Sequence, residues 1–328
     1  MSTLMLLLGL VIVLISAEIF TNGIEWLGKK LHLSEGAVGS VLAAVGTALP
    51  ETIIPVIAIL FSSAHSGEEI GLGAILGAPF MLVTLALALV GIAGLVFPYQ
   101  GAKRTKMLID PTVISRDLTY FIPVYTLAIA VAFIDIYFLK VIVALSLIAL
   151  YTAYVVKTIS NGKVAGNNHL GPLYFARKQP EPPLATVYLQ VGTALVGIVV
   201  GANLFVHGVE YLAQIFGISA FVLSIIIAPI ATELPEKFNS IIWIRKGKDT
   251  LAFGNITGAM VFQSSIVPVL GILLTPWKLS STALLSAILA VLAALYIIFI
   301  IKKKGELRPG ALLLNGVFYL IFLGAVLI

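Results

Sequence analysis

Two short acidic motifs in this chain carry residue types that could bind a hard cation. They are Gly46-Thr47-Ala48-Leu49-Pro50-Glu51 and Ala231-Thr232-Glu233-Leu234-Pro235-Glu236. In each motif a threonine precedes the final glutamate by about one helical turn. The intervening proline has no N–H, so it frees the backbone carbonyl four residues before it. Hydroxyl, carboxylate and carbonyl oxygens together suit Ca²⁺ or Na⁺ and do not suit a soft transition metal.

The two motifs end the two copies of an internal repeat. Residues 17–51 align without a gap with residues 202–236, at a constant offset of 185 and with 11 of 35 positions identical. The matches include Gly, Glu, Thr and Pro, which an apolar composition alone does not readily produce. A second block, residues 71–78, aligns with residues 252–259. The chain is therefore built from two related halves.

The composition predicts that most of the chain lies in a bilayer. Hydrophobic residues make up 60% of it and charged residues only 11%, with a mean hydropathy of +1.10, whereas soluble proteins carry about 25% charged residues. Apolar runs of about 20 residues mark membrane-spanning helices. Ten such runs are predicted, at roughly 4–27, 35–61, 70–98, 118–134, 136–157, 184–213, 219–244, 250–275, 279–301 and 309–328.

The basic residues predict the orientation of these spans. With ten spans, 17 of the 20 Lys and Arg residues fall in connections on one side, as the positive-inside rule requires of the cytoplasmic side. We therefore expect a multi-pass protein of the cell (plasma) membrane with both termini outside the cytoplasm. The same distribution explains the basic pI without a nucleic-acid partner, because the basic residues lie in short runs between apolar spans.

An odd number of spans in each half predicts that the halves are inverted relative to one another. The expected fold is all-α, with ten transmembrane helices in two inverted five-helix repeats, an arrangement typical of secondary transporters. The first repeat is predicted over residues 1–158 and the second over residues 184–328. Between them, Gly, Pro and Asn-rich breaker sequences indicate a cytoplasmic linker at 159–183.

The two motifs resemble the paired Gly-Thr-Ser-x-Pro-Glu signatures of the cation/Ca²⁺ antiporter superfamily, which includes sodium/calcium exchangers. Residues 17–23 look like the start of that family's first repeat, and Gly254-Asn255-Ile256-Thr257-Gly258 looks like its Gly-Asn-x-x-Gly segment. The resemblance covers roughly 17–80 and 202–265. It implies a ten-helix exchanger whose site is formed by the second, third, seventh and eighth spans. By motif position, it implies as ion ligands Thr47, Glu51, Thr232, Glu236 and Asn255.

This chain departs from the family pattern at the serine of each signature. That serine is Ala48 in the first half and Glu233 in the second, so neutral oxygen ligands are missing and a third carboxylate is present. Glu233 is a candidate ligand or proton carrier, or a structural partner of the nearby Lys237. If all are charged, three carboxylates and one ammonium sum to −2, which matches one divalent cation. Alternatively, one carboxylate carries a coupling proton.

These observations predict a secondary active antiporter that exchanges Ca²⁺, or a similar divalent cation, for Na⁺ or H⁺ by alternating access at a mid-membrane carboxylate site. An exchanger of the same fold for Mg²⁺ or Mn²⁺ is an alternative, and a cation channel is a weaker one. An enzyme is not expected, because no H-E-x-x-H motif and no Ser/His pair lies at a suitable depth. The predicted partners are inorganic cations and the lipid bilayer. No cofactor is expected beyond the transported ions, and a monomer is one expected state.

Overall fold

The structure, a computed structural model, describes residues 2–31, 48–62, 64–161 and 171–327, which fold into helices joined by short connections. The predicted all-helical fold is confirmed. In chain order the α-helices are α1 (Ser2–Lys30), α2 (Leu49–Phe61), α3 (Ala64–Met81), α4 (Leu87–Val96), α5 (Pro111–Ala130), α6 (Tyr137–Asn161), α7 (Leu184–Phe216), α8 (Ala220–Thr232), α9 (Leu234–Arg245), α10 (Asp249–Leu274), α11 (Ser281–Lys304) and α12 (Pro309–Leu327). A π-helical segment, Leu82–Ala86, joins α3 to α4 without interruption.

Eight helical stretches in the described part of the chain are long and apolar enough to cross a membrane. Each matches one of the ten predicted spans. Two shorter apolar helices, Leu49–Phe61 and Ala220–Ile230, fall where the second and seventh spans were predicted. Residues 35–47 of the predicted second span lie outside the described residues. The seventh, predicted as one span over 219–244, is divided into α8 and α9.

The chain divides into two compact units, of which unit 1 comprises residues 1–71 and 153–220. In this unit α1 lies along α7, and glycines let the two backbones approach. A Cβ atom on Gly201 would lie 2.8 Å from the Gly9 carbonyl oxygen, and one on Gly208 would lie 2.6 Å from the Leu6 Cβ. Small residues at helix contacts are the usual means of close packing where lipid provides no hydrophobic drive between helices.

The described end of the predicted linker packs against α1 in unit 1. The Trp26 indole N–H donates a hydrogen bond of 2.9 Å to the Gly171 carbonyl. The Tyr174 hydroxyl donates one of 2.8 Å to the Glu18 carboxylate, and this bond raises the pKa of Tyr174. Two polar side chains of α1, Glu18 and Trp26, therefore have hydrogen-bond partners in this segment.

Unit 2 comprises residues 72–152 and 221–328. Within it α3 meets α8 at two glycines one turn apart. A Cβ atom on Gly73 would lie 2.7 Å from the Phe221 carbonyl oxygen, and one on Gly77 would lie 2.6 Å from that of Ile225. The same unit packs α5 against α10, α9 against α10, and α4 against α12.

The π-helical segment is held by a buried amide from α12. The Asn315 side-chain N–H donates a hydrogen bond of 2.7 Å to the Val83 carbonyl. A π-helical turn disturbs the regular i to i−4 ladder, and a backbone carbonyl at membrane depth needs a partner. Asn315 supplies one, so the irregular turn is stable in the interior.

A buried ion pair fixes the connection between α4 and α5 to the start of α10. The Arg104 Nη1 lies 2.7 and 2.6 Å from the two Asp249 carboxylate oxygens, and both side chains are almost fully buried. The same guanidinium donates to the carbonyls of Phe97 and Ile244, while the Leu108 N–H donates to Asp249. Each charge is therefore satisfied by several partners, which a buried pair needs.

Candidate functional site

The acidic motif of the second half lies at a break between two helices. α8 ends at Thr232 and α9 begins at Leu234, with Glu233 between them at φ −94° and ψ 9°. Pro235 is the second residue of α9, where its missing N–H costs no intrahelical bond. The sequence predicted one span over 219–244, whereas the structure starts a new helix at Leu234.

The motif of the first half begins a helix in the same way. α2 starts at Leu49, and Ala48 before it has φ −85° and ψ 2°. Ala48 is the repeat equivalent of Glu233 at the offset of 185. The Leu-Pro-Glu sequence thus opens a helix in both halves, with the glutamate as the third residue. Negative charge is favourable in the first turn of a helix, so these positions suit ionised carboxylates.

The candidate ligands are distributed over the two units. Glu51 lies in unit 1 and is buried, with 6% of its surface exposed. Thr232 and Glu233 are buried in unit 2, and Asn255 is half-buried on α10 of the same unit. Glu236 lies in the first turn of α9, but its side chain is outside what the structure describes. Thr47 also lies outside the described residues.

No group of three or more His, Asp or Glu side chains within the described ranges is placed to hold a metal ion. The ligand set implied by the sequence therefore stays a prediction.

In unit 2, Glu233 forms an ion pair with Lys237, one turn along the chain. The Lys237 ammonium lies 3.4 Å from the Glu233 carboxylate. It also donates hydrogen bonds to the Pro229 carbonyl at 3.1 Å and to the Met81 sulfur at 3.0 Å. Both charged side chains are buried. This contact matches the structural pairing weighed from the sequence, and it leaves the ligand role of Glu233 a prediction.

A second buried acid lies beside the Gly-Asn-x-x-Gly segment and was not singled out from the sequence. The Thr257 hydroxyl donates a hydrogen bond of 2.6 Å to the Asp117 carboxylate, and Arg116 donates to the same carboxylate at 2.8 Å. Asp117 is 1% exposed. Thr257 is two residues from Asn255, so the contact fixes the part of α10 that carries this candidate ligand.

The missed acid lies where the predicted span boundary was wrong. The fourth span was predicted from residue 118, whereas α5 begins at Pro111. Asp110 caps this helix, accepting from the Thr112 N–H at 2.9 Å, and Pro111 occupies the first helical position, which it favours. The Asp-Pro pair was a helix-start signal that could have placed Asp117 within the helix.

Comparison with known proteins gives a family match over both halves. The pattern of the family described as "Sodium/calcium exchanger protein" matches residues 1–159 and 186–328. CaxA of Alkalimonas amylolytica, which is named as an antiporter, is 29% identical over 334 residues, covering 98% of this chain and 98% of that protein.

Two solved structures share the fold. A crystal structure of an H⁺/Ca²⁺ exchanger, CAX, superposes with a TM-score of 0.77 at 16% identity, covering 100% of this chain and 82% of that chain. A structure of the sodium–calcium exchanger NCX_Mj superposes with a TM-score of 0.59 at 20% identity, covering 98% and 97%.

Proposed function

The chain belongs to the sodium/calcium exchanger protein family, and from this premise we propose that it is a secondary active antiporter. It exchanges Ca²⁺, or a similar divalent cation, for Na⁺ or H⁺ by alternating access at a mid-membrane carboxylate site. The protein acts as a transporter in the cell membrane, with both termini outside the cytoplasm.

The equivalence of Ala48 and Glu233 is the observation that carries this proposal. Both residues precede a helix that opens with Leu-Pro-Glu, and their backbone angles agree within 10°. In the second half, the first turn of this helix follows directly after the end of α8. The C-terminal end of a helix carries partial negative charge on its backbone carbonyls, so a glutamate in the next first turn adds a carboxylate close to them. Interrupted helices of this kind hold ions in secondary transporters.

The proposed architecture is ten spans in two inverted repeats, residues 1–158 and 184–328, joined by a cytoplasmic linker at 159–183. Eight stretches of spanning length and the two shorter apolar helices α2 and α8 support the count. Each half then has five spans, so the second half enters the bilayer from the opposite side. Inverted halves give a transporter two related conformations that open to opposite sides.

The proposed ion ligands are Glu51, Glu236, Thr47, Thr232, Glu233 and Asn255. The burial of Glu51, Thr232 and Glu233 supports this set, because an ionised carboxylate in the interior of a membrane protein needs a cation or another partner. The carboxylates supply charge, and the hydroxyl and amide oxygens complete a hard-oxygen shell suited to Ca²⁺.

The test is Ca²⁺ uptake into proteoliposomes that contain the purified protein. Glu51→Gln and Glu236→Gln should each reduce uptake at least about 100-fold, because each removes a charged ligand. Glu306→Gln, which changes a glutamate in the connection between α11 and α12, is the matched control and should transport normally. Normal uptake by both site variants would overturn the proposed site.

The same preparation identifies the ions. An outwardly directed Na⁺ gradient and an outwardly directed H⁺ gradient are imposed separately, and the gradient that drives Ca²⁺ uptake reveals the coupling ion. Addition of Mg²⁺ or Mn²⁺ as competitor tests the alternative cargo. Uptake driven by neither gradient would contradict exchange with Na⁺ or H⁺.

A further inference from the structure

The Lys237 ammonium is buried in the interior of unit 2. Its partners are the Glu233 carboxylate at 3.4 Å, the Pro229 carbonyl at 3.1 Å and the Met81 sulfur at 3.0 Å. Its side chain is 7% exposed. An anionic oxygen, a carbonyl oxygen and a neutral sulfur surround one positive charge, so this position holds a single positive charge beside Glu233.

The end of α8 adds to this preference. Pro229 lies in the last turn of α8, and the C-terminal end of a helix carries a partial negative charge. The Pro229 carbonyl also accepts from the Glu233 N–H at 3.2 Å. The Pro229 carbonyl therefore accepts hydrogen bonds both from the backbone at the break between α8 and α9 and from the Lys237 ammonium. The positive charge thus lies at the end of α8.

The two halves of the repeat differ here by a matched pair of charges. At the offset of 185, Ala48 corresponds to Glu233 and Thr52 corresponds to Lys237. In the first half the Thr52 hydroxyl donates a hydrogen bond of 2.7 Å to the Ala48 carbonyl. The second half has one negative and one positive charge at these two positions, with no net change. The added acid is thus accompanied by its own cation.

We propose that Lys237 determines ion specificity, because its ammonium fills the place of a monovalent cation beside Glu233, so that unit 2 binds no Na⁺ or K⁺ there. This inference rests on the proposed function, since it identifies a position from which the exchange excludes a monovalent ion. Glu233 is compensated by a cation that is part of the chain. A free monovalent ion then has no uncompensated charge to balance at this position, and the net charge of the proposed Ca²⁺ site is that of Glu51 and Glu236.

Removing the ammonium should create a monovalent-cation site. Lys237→Met keeps an unbranched side chain but leaves Glu233 without its cation, so a small ion should replace it. The Tm of the purified protein is measured at pH 8 in 150 mM NaCl, KCl or choline chloride. Choline is a quaternary ammonium ion, larger than the ammonium group that it would have to replace, and it keeps the ionic strength constant. The variant should gain at least about 3 °C from Na⁺ or K⁺ over choline, beyond any shift of the wild type.

Two variants serve as matched controls. Lys237→Arg keeps a positive charge beside Glu233 and should show no more response than the wild type. Glu233→Gln combined with Lys237→Met removes both charges, so it should also show no added response. A response of the Lys237→Met protein that also appears in this double variant would contradict the proposal, because the ion would not be binding to Glu233.

Every result with the Lys237→Met protein decides the question. Recovery of folded protein only in NaCl or KCl supports a replaced cation, whereas failure to fold in all three salts means that no small ion substitutes for the ammonium. A folded variant with no gain over the wild type also overturns the proposal. These measurements do not depend on transport, so a failure of Ca²⁺ exchange and a failure of the Lys237 proposal are separately visible.

Discussion

The hydroxyl of Thr257 donates a hydrogen bond of 2.6 Å to the carboxylate of Asp117, which is buried in unit 2 between α5 and α10. These residues lie 140 positions apart in the chain. The bond connects a membrane acid to the glycine-rich segment that carries Asn255. It makes Asp117 a positioning residue for this part of α10.

Asp117→Ala should destabilise the protein because it leaves the Thr257 hydroxyl and the Arg116 guanidinium without this acceptor. We expect a loss of about 1–3 kcal/mol of unfolding free energy, measured by denaturant unfolding in detergent. Asp117→Asn retains an acceptor oxygen and should lose less. In transport assays both variants should raise the KM for Ca²⁺ more than they lower kcat if Asn255 is displaced.

The control for this prediction is Asp135→Asn, which alters an acid that is 82% exposed and pairs with Lys278 at 3.4 Å. Exposed pairs contribute little, so its stability should match the wild type. Equal stability of Asp117→Ala and the wild type would show that the buried bond is not needed.

Arg104→Ala should have the largest effect on stability of the substitutions considered. It leaves the Asp249 carboxylate buried without its cation, which costs about 3–5 kcal/mol. Arg104→Lys keeps the charge but lacks the planar group that reaches both Asp249 and the Phe97 and Ile244 carbonyls, so we expect an intermediate loss. Thermal unfolding measures both, and Arg308→Ala, at an exposed pair with Glu306, should change Tm by less than about 1 °C.

Gly77→Leu should separate α3 from α8. Even a Cβ atom at this position would lie 2.6 Å from the Ile225 carbonyl oxygen, and overpacking of a tight contact costs about 1–3 kcal/mol or more. The expected result is a lower Tm together with weaker Ca²⁺ uptake. Gly192→Leu on α7, where a Cβ atom would meet nothing within 4 Å, should be tolerated in the same assay.

Acid should weaken the cap of α5. Hydrogen bonds from the Thr112 hydroxyl and N–H hold the pKa of Asp110 below its ordinary value of 3.8. A lowered pKa means that the carboxylate stabilises the folded state above pH 3.8 and that this contribution is lost as the pH falls through the lowered pKa. The Tm difference between wild type and Asp110→Ala should therefore be constant near neutrality and shrink below about pH 4.

Asp110→Asn provides the comparison for this titration, because asparagine caps helices well but carries no titrating group. The Tm difference between Asp110→Asn and Asp110→Ala should not shrink in acid, because neither variant has a titrating group at position 110. If the Tm difference between the wild type and Asp110→Ala persisted unchanged to pH 2, the assignment of Asp110 as the cap would be contradicted.

The sequence predicted the membrane class, the eight long spans and the paired motifs because each depends on local pattern. The apolar length of a span is visible in a single stretch of chain, and the repeat offset relates Ala48 to Glu233 without any coordinates. The spacing of Glu233 and Lys237 by one helical turn also suggested their contact, which the structure contains.

The sequence could not distinguish a kink from a break at Pro235. A proline inside a helix and a proline in the first turn of a new helix cannot be told apart in the sequence. The difference depends on the backbone angles at Glu233. Nor could it pair Asp117 with Thr257 or Arg104 with Asp249, because partners separated by more than 100 residues are set by helix packing and not by periodicity.

The π-helical segment Leu82–Ala86 has the form of one residue inserted into an α-helix. The wider π turn takes up one extra residue, so each residue after it lies about 100° from where a regular α-helix of the same sequence would place it. In a regular α-helix Gly91 would lie about 40° from Gly77 around the axis, whereas with the π turn the two are about 140° apart. This explains how one continuous helix meets α8 through Gly77 and α12 through Gly91, whose Cβ would lie 2.8 Å from the Leu312 Cβ. Because of this rotation, one continuous helix can pack against two neighbouring helices on nearly opposite sides.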